Sequence, residues 1–251
     1  MPVVAVMGAK GGVGTSLVAT NLALTLHAVG GAILVDLNLR APSDDLLLDV
    51  QPAGSWADLL PVVKELTRSH IDLVSSPNKR DMVLLAPPAA PQKALDVEHI
   101  PDLIRSLSEF AGWVVLDLDA STDRFTSHIL NQVDWLLVVA TADAPALRGA
   151  WRVCEAVPAE TTRRAGLVLN QVSRHHPSDP ESIASSLGIP LLACLPFETI
   201  RVADQVNFGH PVVLDPGCRF SGEVRVLARR IAASVRSGRT PATADFRLQS
   251  R

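Results

Sequence analysis

The segment Val3–Leu26, VVAVMGAKGGVGTSLVATNLALTL, constrains the fold of this chain more than any other. An apolar run enters the loop Gly8-Ala9-Lys10-Gly11-Gly12-Val13-Gly14-Thr15-Ser16 and passes directly into residues with helical spacing. Glycines reach backbone conformations that side chains exclude, so successive N–H groups can converge at the positive end of the following helix. The ligand expected there is a polyphosphate. A plain tight turn also uses glycine, but it has no need of a lysine and a hydroxyl residue at Lys10 and Ser16.

Short apolar runs recur at Val3–Met7, Ala32–Leu37, Ile71–Ser75, Trp113–Leu118, Trp135–Ala140, Gly166–Asn170 and Leu191–Leu195. Their continuity, without strict alternation, predicts strands buried on both faces. Helical spacing separates them at Ser16–Ala28, Val97–Phe110, Ala144–Val157 and Ser221–Val235. The alternation predicts an α/β fold: a doubly wound, mostly parallel sheet with helices on both faces. One domain is expected over residues 1–236, and residues 237–251 read as a flexible basic tail. The loop APPAAP, Ala86–Pro91, joins elements within that domain.

Two acidic residues end predicted strands, at the edge where open α/β sheets take their ligands. Asp36 closes AILVD and Asp117 closes WVVLD, and both suit Mg²⁺. Asp119, just beyond, reads equally as a site residue and as a solvated turn aspartate. His175 and His176 lie in a polar, proline-containing segment without a third ligand, and are read as solvated. Cys154, Cys194 and Cys218 have no CxxC spacing and read as free thiols.

Composition narrows the partners. An apolar fraction of 47% excludes a disordered chain. A net charge of −3 gives no overall attraction to nucleic acid or anionic lipid, so nucleic acid is not expected and membrane contact through the tail arginines is at most peripheral. No apolar run approaches the ~20 residues of a membrane span, and no export signal precedes the first strand, so a cytoplasmic location is expected.

The loop KGGVGTS resembles the deviant Walker A motif, KGGVGKT, of the MinD/ParA superfamily of P-loop ATPases. Lys10 matches the signature lysine, Thr15 stands where the usual P-loop lysine would be, and Ser16 matches the hydroxyl residue on Mg²⁺. Within the superfamily KGGVGTS is most similar to the CpaE/TadZ pilus-assembly branch. The run VDLNLR is similar to the family's VDxDxR pattern, with Asn38 in place of the aspartate that positions the attacking water, and WVVLD is similar to a Walker B strand. Asn170 and the segment Leu195-Pro196-Phe197-Glu198 match stretches lining the adenine pocket, and QVNFGHPVV continues the pattern at Asn207, Gly209, Pro211 and Val212.

The resemblance implies ATP or ADP with Mg²⁺ as ligands. The nucleotide would be held by Gly11, Gly12, Val13, Gly14, Thr15, Ser16, Asn170, Pro196 and Phe197, and the metal by Ser16, Asp36 and Asp117. Catalytic roles fall to Lys10, Asn38 and Asp117. It implies a homodimer in the ATP state, across which Lys10 reaches the partner's phosphates. The function implied is that of a localisation or assembly factor for a larger protein assembly, a pilus or secretion apparatus, recruited to a cell pole or the inner membrane. Without the usual lysine, ATP binding with weak or absent hydrolysis is expected. The alternatives are a cycling partition- or division-type ATPase acting on DNA or membrane, and a pseudo-ATPase interaction module.

Overall fold

Strands that are apolar along their whole length can be buried only between two helical layers, and that is how the chain folds. The computed structural model describes residues 1–75, 81–89, 97–173 and 179–237. After β1 (Val3–Gly8) come α1 (Thr15–Gly30), β2 (Ala32–Asp36), α2 (Asp44–Leu48), a 3-10 helix at Trp56–Glu65, α3 (Arg68–Val74) and β3 (Val83–Leu85). A further 3-10 turn at Val97–His99 leads into α4 (Ile100–Leu107), β4 (Trp113–Leu118), α5 (Arg124–Leu130), β5 (Trp135–Ala140), α6 (Ala144–Ala156) and α7 (Ala159–Thr162). The chain continues through β6 (Ala165–Val172), α8 (Pro180–Leu187), β7 (Leu191–Pro196), α9 (Ile200–Phe208), a 3-10 turn at Val212–Leu214 and α10 (Arg219–Ser237).

Among the described residues the sheet has seven strands in the order β3-β2-β4-β1-β5-β6-β7, and every pairing is parallel. The expected doubly wound α/β fold is observed. From β1 the chain moves to one side through β2 and β3, and after β4 it crosses to β5 on the other side. The carboxyl end of β1 is therefore a switch point, where such sheets open a crevice. All residues of β1, β2, β4 and β5 are buried. The register sets Asp36 directly against Asp117.

One predicted strand is corrected. Ile71 to Val74 belong to α3 and Ser75 is its C-cap, while Thr67 caps the other end by accepting the His70 N–H. Ile71 and Val74 are buried while Leu73 is exposed, the spacing of a helix face. A short apolar run does not distinguish the two periods. The edge strand is instead β3, three residues long and paired with β2.

Helix α1 is buried on nearly every side from Leu17 to Leu26, as a central helix must be. Its polar residues are satisfied by side chains far along the chain. Asn21 Nδ2 donates to Gln205 Oε1 at 2.7 Å, its Oδ1 accepts the Val213 N–H at 2.8 Å, and Gln205 Nε2 donates to Thr20 Oγ1 at 3.1 Å. This buried network fastens α9 and the Val212–Leu214 turn to α1. It gives the QVNFGHPVV segment a bracing role that depends on Gly209, whose φ of 61° and closeness to the Asp49 backbone admit no side chain. Cys154, Cys194 and Cys218 are free.

Candidate functional site

The loop after β1 takes a shape that only its glycines allow. Gly12 and Gly14 have φ of 80° and 88°, and Gly14 is the N-cap of α1. A Cβ on Gly8 would meet Thr15 Oγ1, and one on Gly14 would meet Asn170 Nδ2. Gly149 of α6 lies so close to the Ala9 carbonyl that a Cβ there would overlap it. The outer positions differ, because Cβ atoms built on Gly11 and Gly12 meet nothing within 4 Å. The loop is packed from behind and open in front. The first turn of α1 carries no acidic residue, so the positive end of its dipole is unopposed.

Asn170 is buried at the end of β6, and both ends of its amide are engaged within the protein. Nδ2 donates to the Val13 carbonyl at 2.9 Å and Oδ1 accepts the Gln171 N–H at 2.9 Å. It braces the glycine loop across the sheet. Pro196 ends β7 at the same sheet edge, half-buried, and Phe197 beyond it is 63% exposed.

Three carboxylates gather beneath the loop. Asp36, Asp44 and Asp117 each place an oxygen within 4.8 Å of the others, and all three are buried. Asp36 accepts N–H groups from Asn38 (2.9 Å), Ser43 (3.2 Å) and Asp44 (3.4 Å), so the chain after β2 turns around it. Ser16 Oγ donates to Asp117 Oδ2 at 2.6 Å. Neither oxygen of Asp44 has a hydrogen-bond partner, nor has Asp117 Oδ1. An all-oxygen set with bare buried acceptors fits a hard divalent cation such as Mg²⁺. Asp44 was not among the residues expected here. An Asp-Asp pair opening a helix reads as solvated first-turn acid, and only the fold reveals that one member points inward. Trp56 was missed too; its fully buried indole Nε1 donates to the Asp36 carbonyl at 2.9 Å.

Burial is the first cause that raises all three acids. Asp36 moves from 3.8 to about 6, where burial outweighs its three backbone hydrogen bonds. Asp44 and Asp117 rise well above the usual value, burial being reinforced by neighbouring carboxylates. The folded protein thus keeps protons that the unfolded chain releases. The trio's contribution to stability is present below the ordinary carboxyl value and is lost as pH rises through the folded values, Asp36 at about 6. In chelator, Asp44→Asn is therefore more stable than the native chain by about 1 to 3 kcal/mol near neutral pH, and the gap narrows on acidification. Thermal melts across that range test this; a gap independent of pH contradicts it.

The surrounding loops carry paired charges. Lys10 Nζ lies 4.0 Å from Asp143, the residue that caps α6, and both side chains are partly exposed. Arg40 meets Asp119 at 3.0 Å, joining the loops after β2 and β4. Asn38 Oδ1 accepts the Ala41 N–H at 3.2 Å, which shapes the turn beside Asp36. His175, His176 and residues 238–251 lie outside the described residues.

A family model described as "ParA: NUBPL iron-transfer P-loop NTPase" matches residues 1–90, the part of the chain that holds the glycine loop, Asp36 and Asp44. Over 237 residues the chain is 27% identical to the septum site-determining protein MinD of Bacillus subtilis, spanning 91% of this chain and 88% of that protein. The chain is thus similar, over most of its length, to P-loop ATPases of the MinD/ParA type. Solved structures repeat the fold. A ParA family ATPase from Chlorobium tepidum superposes with a TM-score of 0.82 at 23% identity, covering 91% of this chain and 98% of its own. The MinD of Pyrococcus horikoshii, solved with Mg-ADP, gives 0.79 at 18% identity over 93% and 98%. Within MinD/ParA the pilus-assembly branch receives no support from these matches; that finer resemblance rests on the KGGVGTS loop alone. No helix among the described residues is long and apolar enough to cross a membrane.

Proposed function

We propose that this MinD/ParA protein binds ATP with Mg²⁺ at the glycine loop and dimerises in the ATP state, working in the cytoplasm as a nucleotide-controlled positioning switch of the division and partition type. The observation that carries the reading is a braced loop, open on its outer side, directly above a buried cluster of oxygen ligands. The full-length similarity to MinD supports the choice of switch. Backbone N–H groups of Gly11 to Ser16 hold the phosphates, and Ser16, Asp36 and Asp117 hold the metal. When bound, Mg²⁺ neutralises phosphate charge. Lys10, partly exposed and held only by a 4.0 Å contact, is free to exchange Asp143 for a phosphate. Pro196 and Phe197 flank the base, while Asn170 keeps the loop in place. The nucleotide-binding domain spans residues 1–236.

Hydrolysis is slow in this reading, because Thr15 supplies no cation and Asn38 cannot accept a proton from water as a carboxylate would. ATP then acts by linkage: a ligand that binds the dimer better than the monomer shifts the equilibrium without being consumed. Those two residues also favour a second reading, a long-lived ATP-bound scaffold for a pilus or secretion apparatus. Sedimentation velocity separates the switch from an inert module. The expected result is a doubled mass with ATP and Mg²⁺ and a monomer with ADP; an unchanged mass with ATP overturns dimerisation.

A further inference from the structure

We propose that Asp44 is a third carboxylate ligand, and that Asp36, Asp44 and Asp117 together take up one divalent cation before any nucleotide arrives. The inference deepens the reading of the site given above, by adding a ligand and by making metal binding independent of ATP. Magnesium in phosphoryl-transfer sites is ordinarily held by one or two carboxylates plus the substrate's phosphates, so its retention depends on the nucleotide. Here the protein brings three carboxylates and the Ser16 hydroxyl to one place. That donor set approaches a self-sufficient site.

The unpartnered oxygens point to a ligand independently of the clustering. Asp36 is satisfied by three backbone N–H groups and Asp117 Oδ2 by Ser16. The remaining acceptors, both oxygens of Asp44 and Asp117 Oδ1, are buried without a donor. Native proteins rarely leave buried polar atoms so, and each such group calls for an unseen water or ion. The cations of the adjoining loops lie against other carboxylates, Lys10 at 4.0 Å from Asp143 and Arg40 at 3.0 Å from Asp119. Three buried carboxylates cannot all ionise without a counter-charge, and a single divalent ion supplies it where one lysine could not.

The backbone is arranged for this. Ser43 and Asp44 donate their N–H groups to Asp36 Oδ2. The first residue of α2 is thereby anchored to the end of β2, which fixes the Asp44 carboxylate beside Asp36 and Asp117.

Titration of the full chain with Mn²⁺ in the absence of nucleotide, followed by the loss of the free-ion electron paramagnetic resonance signal, tests the proposal. One ion per chain is expected for the native protein, with Mg²⁺ displacing it, and at least ~10-fold weaker binding for Asp44→Asn. Asp44→Ser serves as a second uncharged variant if the amide does not fold. No binding by the native chain at millimolar Mn²⁺ overturns the proposal, and so does undiminished binding by a folded Asp44 variant. For the native chain alone, bound Eu³⁺ must lose inner-shell water as judged by its luminescence lifetime; a fully hydrated ion contradicts carboxylate ligation. A separate ATP titration keeps the two readings apart, since failure to bind ATP would sink the nucleotide switch while leaving the Mn²⁺ result intact.

Discussion

Thr15→Lys raises ATP turnover by about 10²- to 10³-fold over the native chain, the range by which one preorganised electrostatic contact to a developing negative charge changes a rate. Thr15 is the first residue of α1, where the loop meets the helix, and its Oγ1 rests against the backbone of Gly8. A lysine there has the open outer side of the loop to extend into, since nothing lies within 4 Å of Cβ positions on Gly11 and Gly12. Binding is expected to change less than catalysis, because in the proposed reading the phosphates are held by backbone amides and the helix terminus. Adding Asn38→Asp increases the gain further by restoring a proton acceptor. Steady-state phosphate release measures both variants. Native turnover already near the ~1 s⁻¹ of ordinary phosphoryl-transfer enzymes, or a Thr15→Lys rate equal to native, contradicts the account.

Trp56→Ala destabilises the fold by about 3 to 5 kcal/mol, the usual cost of truncating a large buried aromatic residue. In a chain of this length that lowers the melting temperature by about 6 to 20 °C. The indole is fully buried and its Nε1 donates to the carbonyl of Asp36, so one side chain both fills the core and secures the strand end that carries Asp36. Trp56→Phe separates the two effects. It keeps most of the volume, leaves the carbonyl without its donor, and costs about 1 to 3 kcal/mol. Urea unfolding of both variants gives the numbers, and a loss below ~1 kcal/mol for the alanine variant would show that the 3-10 segment around Trp56 does not support the site.

The parts of the site that depend on strand ends and glycine geometry were readable in the residues. Gly12 and Gly14 sit at positive φ, and Asp36 and Asp117 stand side by side because two strands from distant parts of the chain end in register. What depends on packing between distant segments was not readable. Asp44 looks like any helix-opening acid until the turn around Asp36 draws it inward. Asn170, read as lining the adenine pocket, also braces the glycine loop through the Val13 carbonyl and the Gln171 N–H, a role its local sequence does not announce. Asn21 and Gln205, separated by most of the chain, meet in a buried pair that neither local sequence announces. The Ile71–Ser75 run shows the remaining ambiguity, since an apolar stretch fits either period until a cap such as Thr67 decides it.

The central claim is that the loop from Gly11 to Ser16 cups a triphosphate although Thr15 supplies no charge. Isothermal titration of the purified chain with ATP in excess Mg²⁺ tests it most directly. One ATP per chain with a dissociation constant well below millimolar is the predicted result. No saturable heat at millimolar ATP would contradict it.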